Sequence, residues 1–353
     1  MRFAAKTSPS RGLRRKKHMN GVNGGMSFYI SGTGSAIPRR RVTNDELATM
    51  VDTSDEWIST RTGIKERRVM TDETLLSLSA EAGRRALEDA GVLPEEIDLL
   101  ICTTLQGDYI SPSLCCTVAG ELGITSCGSM FDMNMACCGF IYALDAADAY
   151  FRSGKAKKAL VISAEAMSRL IDWTDRSTCV LFGDGAGAAV LEAGDGLEDI
   201  RLTVTPDIQK LFVDIRGDAS PFEKMPERTA MTMNGQEIYI FAVSAIIAEI
   251  NGILERAALS PDDIGHYVLH QANLRIIESA RRKLRQPTEK MPTSISKYGN
   301  TSSSSVPILL DELNRSGALK QGERIIMCAF GAGLTTGTCL IRWNKAAAVP
   351  DGR

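Results

Sequence analysis

Two segments of this 353-residue chain occur twice in the same order, and this repetition constrains the fold more than any other feature. Residues 87–98, LEDAGVLPEEID, resemble residues 254–265, LERAALSPDDIG. Residues 182–187, FGDGAG, resemble residues 330–335, FGAGLT, and each copy lies between two apolar runs. One such echo would be weak evidence, but two in the same order predict a duplicated structural unit, with a junction near residues 194–199.

Short apolar runs alternate with helical patterns along the whole chain. The runs at residues 99–102, 159–162 and 325–328 are typical of buried strands, whereas residues 75–90, 139–153 and 238–257 have the periodicity of helices. This alternation predicts an α/β fold in which helices cover the sheets.

Composition excludes several classes of protein. A net charge of -2 argues against a general nucleic-acid binder. The sequence contains no run of about 18 uncharged apolar residues, so we expect no transmembrane helix. The nine cysteines are an odd number and no secretion signal is visible, so we expect reduced thiols and a cytoplasmic protein. The adjacent cysteine pairs lack the spacing of a zinc site, and we predict no metal.

The two ends of the chain differ from its body. Residues 1–25 are basic and contain no apolar core of a signal peptide. We interpret them as a disordered extension, and a cloning remnant or a natural start at Met26 would also explain them. A tether to nucleic acid or membrane is a further alternative. Residues 346–353 are predicted to be a short tail.

Cys137 is the strongest candidate nucleophile. It lies in residues 131–140, FDMNMACCGF, which are typical of a buried strand that turns sharply into a helix near Gly139. A helix N-terminus stabilises a thiolate, so we expect a lowered pKa for this thiol. The alternative is a buried structural cysteine, and Cys138 is a competing candidate one helical step away.

His270 and Asn300 are candidate partners of that thiol. His270 ends a predicted strand and opens the segment HQAN, where ligands of α/β sheets tend to collect. Asn300 lies in the segment GNTS, which would also suit an ordinary turn and helix cap. A structural role is the alternative for each, and it is our interpretation of His266. Cysteine, histidine and asparagine together indicate thiol catalysis.

The two glycine-rich segments match neither a phosphate-binding loop nor a dinucleotide fingerprint. Backbone N–H groups of the second segment, residues 330–335, could instead form an oxyanion hole.

With these motifs assembled, the chain resembles the β-ketoacyl-acyl carrier protein synthase III family of the thiolase superfamily. The resemblance extends over about residues 26–343, and its motifs are residues 52–58, 61–64, 131–140, 182–187, 270–273, 299–302 and 330–335. It implies a thiolase-like five-layer αβαβα fold and a homodimer. The duplicated halves would span residues 26–196 and 197–345.

The resemblance also implies a mechanism that starts fatty-acid synthesis. Cys137 would take an acyl group from acyl-CoA, a substrate rather than a cofactor, and malonyl-acyl carrier protein would then bind. His270 and Asn300 would stabilise the enolate as CO2 leaves, and attack on the acyl-Cys137 thioester would give 3-ketoacyl-acyl carrier protein. The N–H groups of Cys137 and Ala332 would hold the acyl carbonyl, and Phe330 would disfavour the malonyl carboxylate.

Residues that bind the substrates carry over from the resemblance as well. Trp57 and Arg176 match the pair that sandwiches the adenine of CoA, and Arg61 matches a phosphate contact. The pantetheine-arm positions are Gln236, where the family usually has asparagine, and Asn273.

At the carrier-protein face and the acyl pocket, this chain departs from the family pattern. Arg275 matches a basic residue of the carrier-protein face, but another basic position of that face is Ile240 here. The loop 106–112, which would cross the dimer, is one residue longer than the family pattern and places Ile110 or Ser111 at the end of the acyl pocket.

Two alternatives to this function remain. One is a related acyltransferase or synthase of secondary metabolism with the same fold. The other is a catalytically silent subunit that binds the carrier protein, although the retained Cys137, His270 and Asn300 argue against it.

Overall fold

The computed structural model describes residues 25–214, 222 and 230–345. Its strands are β1 Ser27–Ala36, β2 Arg40–Thr43, β3 Glu66–Val69, β4 Leu99–Thr103, β5 Ser129–Met133, β6 Lys158–Glu165, β7 Gly185–Gly194, β8 Leu197–Asp207, β9 Leu211–Phe212, β10 Thr232–Met233, β11 His266–Leu269, β12 Arg324–Gly331 and β13 Gly333–Arg342. Its helices are α1 Asn44–Leu47, α2 Asp55–Thr62, α3 Leu75–Ala90, α4 Leu114–Leu122, α5 Gly139–Arg152, α6 Arg176–Cys179, α7 Gly235–Ala257, α8 Leu274–Leu284, α9 Ile295–Tyr298 and α10 Ser305–Arg315.

The helices and strands form five layers. One sheet has the order β1-β7-β6-β4-β5 and the other the order β11-β12-β13-β8. Helices α5 and α10 lie between the sheets and share one apolar core with both. Helices α3 and α4 cover the outer face of the first sheet, and α7 and α8 cover the outer face of the second. The predicted αβαβα architecture is confirmed.

The two halves repeat one topology. In the first sheet β4 and β6 are parallel, and β7 pairs antiparallel with both β6 and β1. In the second sheet β11 and β12 are parallel, and β13 pairs antiparallel with both β12 and β8. The repeated segments at 87–98 and 254–265 precede the equivalent strands β4 and β11, which explains the echo in the sequence.

The boundaries assigned to the halves stay predictions. Strand β7 ends at Gly194 and β8 begins at Leu197, close to the predicted junction. The predicted extension lies outside the described residues except for residue 25, and the tail 346–353 lies wholly outside them.

Helix α3 shows how local sequence sets these boundaries. Thr74 accepts a hydrogen bond from the amide of Ser77, whose side chain bonds back to Thr74, and Gly91 ends the helix with a φ of 67°. Leu75, Leu78 and six further residues of α3 are buried on one face. Helix α3 therefore has the predicted bounds, 75–90.

Helix α7 is long and apolar enough, by length and composition, to cross a membrane. Its buried face packs in the core of the second sheet, and Glu249 near its middle accepts hydrogen bonds from Thr203 and Thr336. We interpret it as a core helix. It begins at Gly235, one turn before the predicted start, because the Asn234 side chain caps the amide of Glu237.

Candidate active site

The predicted strand–turn–helix at Cys137 is present. Strand β5 ends at Met133, a short 3-10 turn spans Ala136–Cys138, and α5 begins at Gly139. Ala136 has a φ of 44°, a left-handed conformation that is costly for a residue with a side chain. This tight turn presents Cys137 at the N-terminus of α5.

Cys137 and Cys138 face different surroundings. Cys138 is completely buried, and its Sγ lies 3.5 Å from the carbonyl oxygen of Thr335. Cys137 is partly exposed and lines a cavity of about 400 Å³. The structure therefore favours Cys137 over its neighbour as the reactive thiol.

The cavity brings together the residues predicted from three distant segments. Cys137, His270 and Asn300 all line it, as do Phe330 and Ala332 from the second glycine-rich segment. Most of its remaining lining is apolar and includes residues of α7 and α8. A thiol, an imidazole and an amide thus share one pocket.

The predicted lowering of the Cys137 pKa is wrong in this structure. Burial raises the pKa of the thiol to about 12, the hydroxyl of Ser302 acts to lower it, and the carboxyl of Glu165 raises it further. Loss of solvent outweighs the helix N-terminus because the thiolate would be buried in a largely apolar cavity. Cys137 is therefore a thiol at neutral pH and must lose a proton when it reacts.

His270 is held as a neutral imidazole. It follows β11 directly, is buried, and burial lowers its pKa to about 3. Its Nδ1 lies 2.7 Å from the hydroxyl of Ser305, which also accepts a hydrogen bond from the amide of Gln271. When the hydroxyl donates to Nδ1, the proton of the imidazole is on Nε2.

The side chain of Asn300 is oriented by the chain that follows it. Its Oδ1 accepts a hydrogen bond of 2.8 Å from the amide of Ser302, so its NH2 group remains available as a donor. Its backbone bonds to Leu181 and Gly183 across the first glycine-rich segment. That segment therefore positions Asn300 and has no role in binding a nucleotide in our interpretation.

The second glycine-rich segment lies against the nucleophile. A Cβ atom at Gly331 would be 2.9 Å from the amide nitrogen of Cys137 and 3.1 Å from its Cβ, closer than packed atoms approach. The rings of His270 and Phe330 meet edge to face, with centroids 5.2 Å apart. The absence of a side chain at Gly331 thus lets the loop that carries Phe330 and Ala332 approach Cys137.

Sequence reasoning missed Glu165 and gave no role to Ser302. Glu165 ends β6, is 1% exposed, and accepts hydrogen bonds from the hydroxyls of Ser302 and Ser303. Ser302 Oγ also lies 3.5 Å from Cys137 Sγ. An acid at the carboxyl end of the buried strand β6 was the available signal, because sites of α/β folds form at such strand ends.

Three of the predicted CoA-binding residues contact one another, because Arg61 and Arg176 both pack against the ring of Trp57. The guanidinium of Arg61 lies 4.6 Å from the ring centroid of Trp57, and that of Arg176 lies 4.9 Å from it. The Arg176 guanidinium is too close to the Trp57 ring for another ring to fit between them. An adenine could therefore enter between Trp57 and Arg176 only if Arg176 moved. Gln236 and Asn273 line the cavity.

Of the residues predicted for the carrier-protein face and the acyl pocket, Arg275 lines the cavity of the single chain, whereas Ile110 and Ser111 do not. Arg275 lines the cavity, with its guanidinium 5.9 Å from the ring of Tyr239, and Ile240 is 60% exposed. Ile110 is 98% exposed and Ser111 is also exposed, so neither lines this cavity. Their role in an acyl pocket requires a partner subunit and stays a prediction.

One cluster has the spacing of metal ligands. Ligand atoms of Cys102, Cys115 and Asp132 lie within 4.8 Å of one another. Both carboxylate oxygens of Asp132 accept hydrogen bonds from the first amides of α4, those of Leu114 and Cys115. Burial raises the pKa of Cys115, which keeps it protonated. These contacts indicate a helix cap, and we assign no metal here.

Solved structures share this fold. A 3-oxoacyl-[acyl-carrier-protein] synthase III from Aquifex aeolicus VF5 matches with a TM-score of 0.82 and 42% identity, over 89% of this chain and 99% of that one. The priming β-ketosynthase of the R1128 polyketide biosynthetic pathway matches with a TM-score of 0.86 and 36% identity, over 96% and 100%.

The duplicated five-layer fold and the pocket shared by Cys137, His270 and Asn300 define a thiolase-fold condensing enzyme. Family models for 3-oxoacyl-[acyl-carrier-protein (ACP)] synthase III and its C-terminal part match residues 131–205 and 254–343. The β-ketoacyl-[acyl-carrier-protein] synthase III of Clostridium acetobutylicum is 42% identical over 324 residues, which are 90% of this chain and 99% of that protein. The chain belongs to the β-ketoacyl-[acyl-carrier-protein] synthase III family.

Proposed function

We propose that this condensing enzyme starts fatty-acid synthesis by joining an acyl group from acyl-CoA to malonyl-acyl carrier protein. The observation that carries the proposal is that a neutral His270 and Asn300 line the same largely apolar cavity as Cys137. Two neutral hydrogen-bond donors suit an enolate oxyanion, and a thiol suits an acyl group passed between thioesters.

In the first half-reaction Cys137 Sγ attacks the thioester carbon of acyl-CoA, and CoA leaves. The amides of Cys137 and Ala332 are the proposed donors to the tetrahedral oxyanion. Gly331 supports this role, because its missing side chain lets the Ala332 loop lie against Cys137. The acyl group then occupies the apolar part of the cavity.

In the second half-reaction the thioester carbonyl of malonyl-acyl carrier protein accepts hydrogen bonds from Nε2 of His270 and Nδ2 of Asn300. Loss of CO2 leaves an enolate that these two donors stabilise, so no strong base is needed. The enolate carbon attacks the acyl-Cys137 carbonyl, and the 3-ketoacyl-acyl carrier protein forms as the sulfur of Cys137 leaves. The ring of Phe330, which packs against His270, makes the part of the cavity that receives the malonyl carboxylate apolar. An apolar environment disfavours the carboxylate and favours departure of neutral CO2.

An assay with each substrate alone and with both together tests this function. The enzyme is given acetyl-CoA, malonyl-acyl carrier protein or both, and the carrier protein is followed by intact-protein mass spectrometry. The 3-ketoacyl product should form only when both substrates are present, together with one CO2 for each product. Product without an acyl-CoA, or none with any acyl-CoA in a panel of short, branched and long chains, would contradict the proposal.

A polyketide-priming synthase is the second candidate, because the R1128 priming β-ketosynthase shares the fold at 36% identity. The same assay separates the two when malonyl groups are supplied on carrier proteins from a fatty-acid and from a polyketide system. Preference for the polyketide carrier protein by kcat/KM would favour this candidate.

The subunit arrangement and cellular location belong to the same proposal. We expect a homodimer, because Ile110 at the tip of the loop between β4 and α4 is an apolar side chain that is 98% exposed in the single chain. We expect the enzyme in the cytoplasm, where its acyl-CoA substrate is found, and nine free cysteines suit that reducing compartment. Arg275 is the proposed contact for an acidic carrier protein.

A further inference from the structure

A buried carboxyl lies behind the nucleophile, and the mechanism above does not use it. Glu165 Oε1 accepts hydrogen bonds of 3.2 Å from Ser302 Oγ and 2.6 Å from Ser303 Oγ, while its Oε2 accepts one of 3.0 Å from the amide of Leu105. Ser302 Oγ is 3.5 Å from Cys137 Sγ. One hydroxyl thus joins a buried acid to the reactive thiol.

The thiol needs such a partner. Cys137 is protonated at neutral pH because burial raises its pKa to about 12, yet it must lose its proton to attack a thioester. His270 is a poor acceptor because its pKa is lowered to about 3, whereas burial raises the pKa of Glu165 to about 7. Glu165 is therefore the better acceptor for the proton of the thiol.

We propose that Glu165, acting through the hydroxyl of Ser302, holds the proton of Cys137 while the enzyme is acylated and returns it when condensation frees the sulfur. This inference rests on the proposed acylation of Cys137 by acyl-CoA. The single proton of the Ser302 hydroxyl can be donated either to Cys137 Sγ or to Glu165 Oε1. The transfer uses the second arrangement, in which the thiol donates its own proton to Ser302 Oγ.

The protons and electron pairs balance through both half-reactions. As Cys137 Sγ bonds to the acyl carbon, its proton passes to Ser302 while the Ser302 proton passes to Glu165, and CoA leaves as a thiolate that takes a proton from water. In the condensation the bond from Sγ to the acyl carbon breaks, and the sulfur leaves with its electron pair. Glu165 then returns a proton through Ser302 to Sγ, which restores the thiol and the carboxylate.

The surroundings of Glu165 fit a group that stores a proton. On the neighbouring strand Glu165 faces Gly185, which follows the buried carboxyl of Asp184. Asp184 has its own partners, the hydroxyl of Ser168 and the amides of Ser168 and Met70. Among the described contacts of Glu165 no lysine, arginine or histidine forms an ion pair. With no cation to hold it ionised, the carboxyl has a pKa raised by burial to about 7, so it can both accept and release a proton near neutral pH.

Alkylation of Cys137 by iodoacetamide tests the proposal without any acyl donor. The rate is measured by peptide mass spectrometry at pH 7.5, and Glu121→Gln, a change on α4 outside this cavity, is the matched control. We expect Glu165→Gln to slow alkylation of Cys137 at least about 10-fold relative to Glu121→Gln. If Glu165 acted only as a nearby negative charge, its removal would ease thiolate formation and speed alkylation, and that result would overturn the proposal.

Two serine variants keep the test informative if Glu165→Gln fails to fold. Ser302→Ala removes the bridge and should slow alkylation as Glu165→Gln does, whereas an unchanged rate would overturn the proposal. Ser303→Ala keeps the bridge but removes a hydrogen bond that lowers the pKa of Glu165. The rise of the wild-type alkylation rate near pH 7 should therefore move to higher pH in Ser303→Ala and be absent in Glu165→Gln.

The pH profile of acylation completes the test. Single-turnover acylation by acetyl-CoA should rise through a pKa near 7 in the wild-type enzyme, and Glu165→Gln should lose that rise. A Glu165→Gln enzyme that keeps the rise would show that Glu165 only supports the structure. Failure of every acyl-CoA to load, with alkylation behaving as expected, would overturn the proposed function but leave the proton transfer standing.

Discussion

The hydroxyl of Ser305 lies 2.7 Å from Nδ1 of His270 and accepts a hydrogen bond from the amide of Gln271. When the Ser305 hydroxyl donates to Nδ1, the imidazole keeps its proton on Nε2, the atom that the proposed mechanism uses as a donor. We therefore expect Ser305→Ala to slow decarboxylation of malonyl-acyl carrier protein by about 5- to 100-fold, which corresponds to a lost buried hydrogen bond of about 1–3 kcal/mol. Release of CO2 by single-turnover kinetics measures the effect.

Ser304→Ala is the matched control for Ser305→Ala. The Ser304 hydroxyl is buried one residue earlier but donates to the carbonyl oxygen of Thr301. This change should lower the free energy of unfolding by about 1 kcal/mol and leave the rate of decarboxylation near that of the wild type. Equal rates of decarboxylation in the two variants would contradict the role assigned to Ser305.

Substitutions at different site residues should impair the two half-reactions, acylation and decarboxylation, to different extents. Cys137→Ala removes the acyl acceptor, so transfer from acyl-CoA should be abolished while malonyl-acyl carrier protein is still decarboxylated. Asn300→Ala and His270→Ala each remove one enolate donor, and each should slow decarboxylation about 10²- to 10³-fold with a smaller effect on acylation. If His270→Ala abolished acylation and spared decarboxylation, the assignment of His270 would be wrong.

The contact between Gly331 and Cys137 predicts a backbone effect on acylation. A methyl group at residue 331 would lie 2.9 Å from the amide nitrogen of Cys137, so Gly331→Ala must displace the Ala332 loop. We expect acylation to slow by about 10²-fold or more, as for loss of an oxyanion donor.

Gly120 provides the control for Gly331. It lies inside α4, and a Cβ atom there would have no neighbour within 4 Å. Gly120→Ala should raise the free energy of unfolding by up to about 1 kcal/mol and leave acylation unchanged. Normal acylation by Gly331→Ala would show that the loop does not need its close approach.

Glu165 should make the stability of the enzyme depend on pH. Burial raises the pKa of this carboxyl from 4.5 to about 7. Between these values the folded protein holds a proton that the unfolded chain releases, so this group lowers stability as the pH rises from 4.5 to 7. Because Glu165→Gln cannot ionise, its stability relative to the wild type should increase across that window by about 3 kcal/mol.

Chemical denaturation of both proteins at pH 4.5 and pH 8 measures this difference. Glu121→Gln, which changes an exposed carboxyl on α4, controls for the loss of an acid. The same pH dependence in wild-type and Glu165→Gln protein would show that the Glu165 carboxyl does not hold its proton in the folded state.

The sequence predicted the architecture because its determinants are local and repeated. Pro94 and Pro261, each followed by two acids, begin equivalent short 3-10 turns before β4 and β11. Thr74 and Gly91 mark the ends of α3. Such signals depend on neighbours in the chain and are visible without a structure.

The chemistry of the site depends on burial and on distant contacts, which the sequence does not show. A helix N-terminus suggested a thiolate at Cys137, but loss of solvent raises the pKa of its thiol to about 12. Glu165 is 137 residues from Ser302 in the chain, and only the fold brings the two together. Ile110 is exposed in the single chain, so its predicted role depends on a second subunit.

Peptide-level mass spectrometry of the enzyme after incubation with a panel of acyl-CoAs tests the central claim most directly. The protein must be folded and reduced, and Cys137→Ala is the control. The mechanism predicts an acyl mass on the peptide that contains Cys137 and none on that peptide in the control. An acyl group on the same peptide in Cys137→Ala, or no adduct from short, branched and long acyl-CoAs, would contradict it.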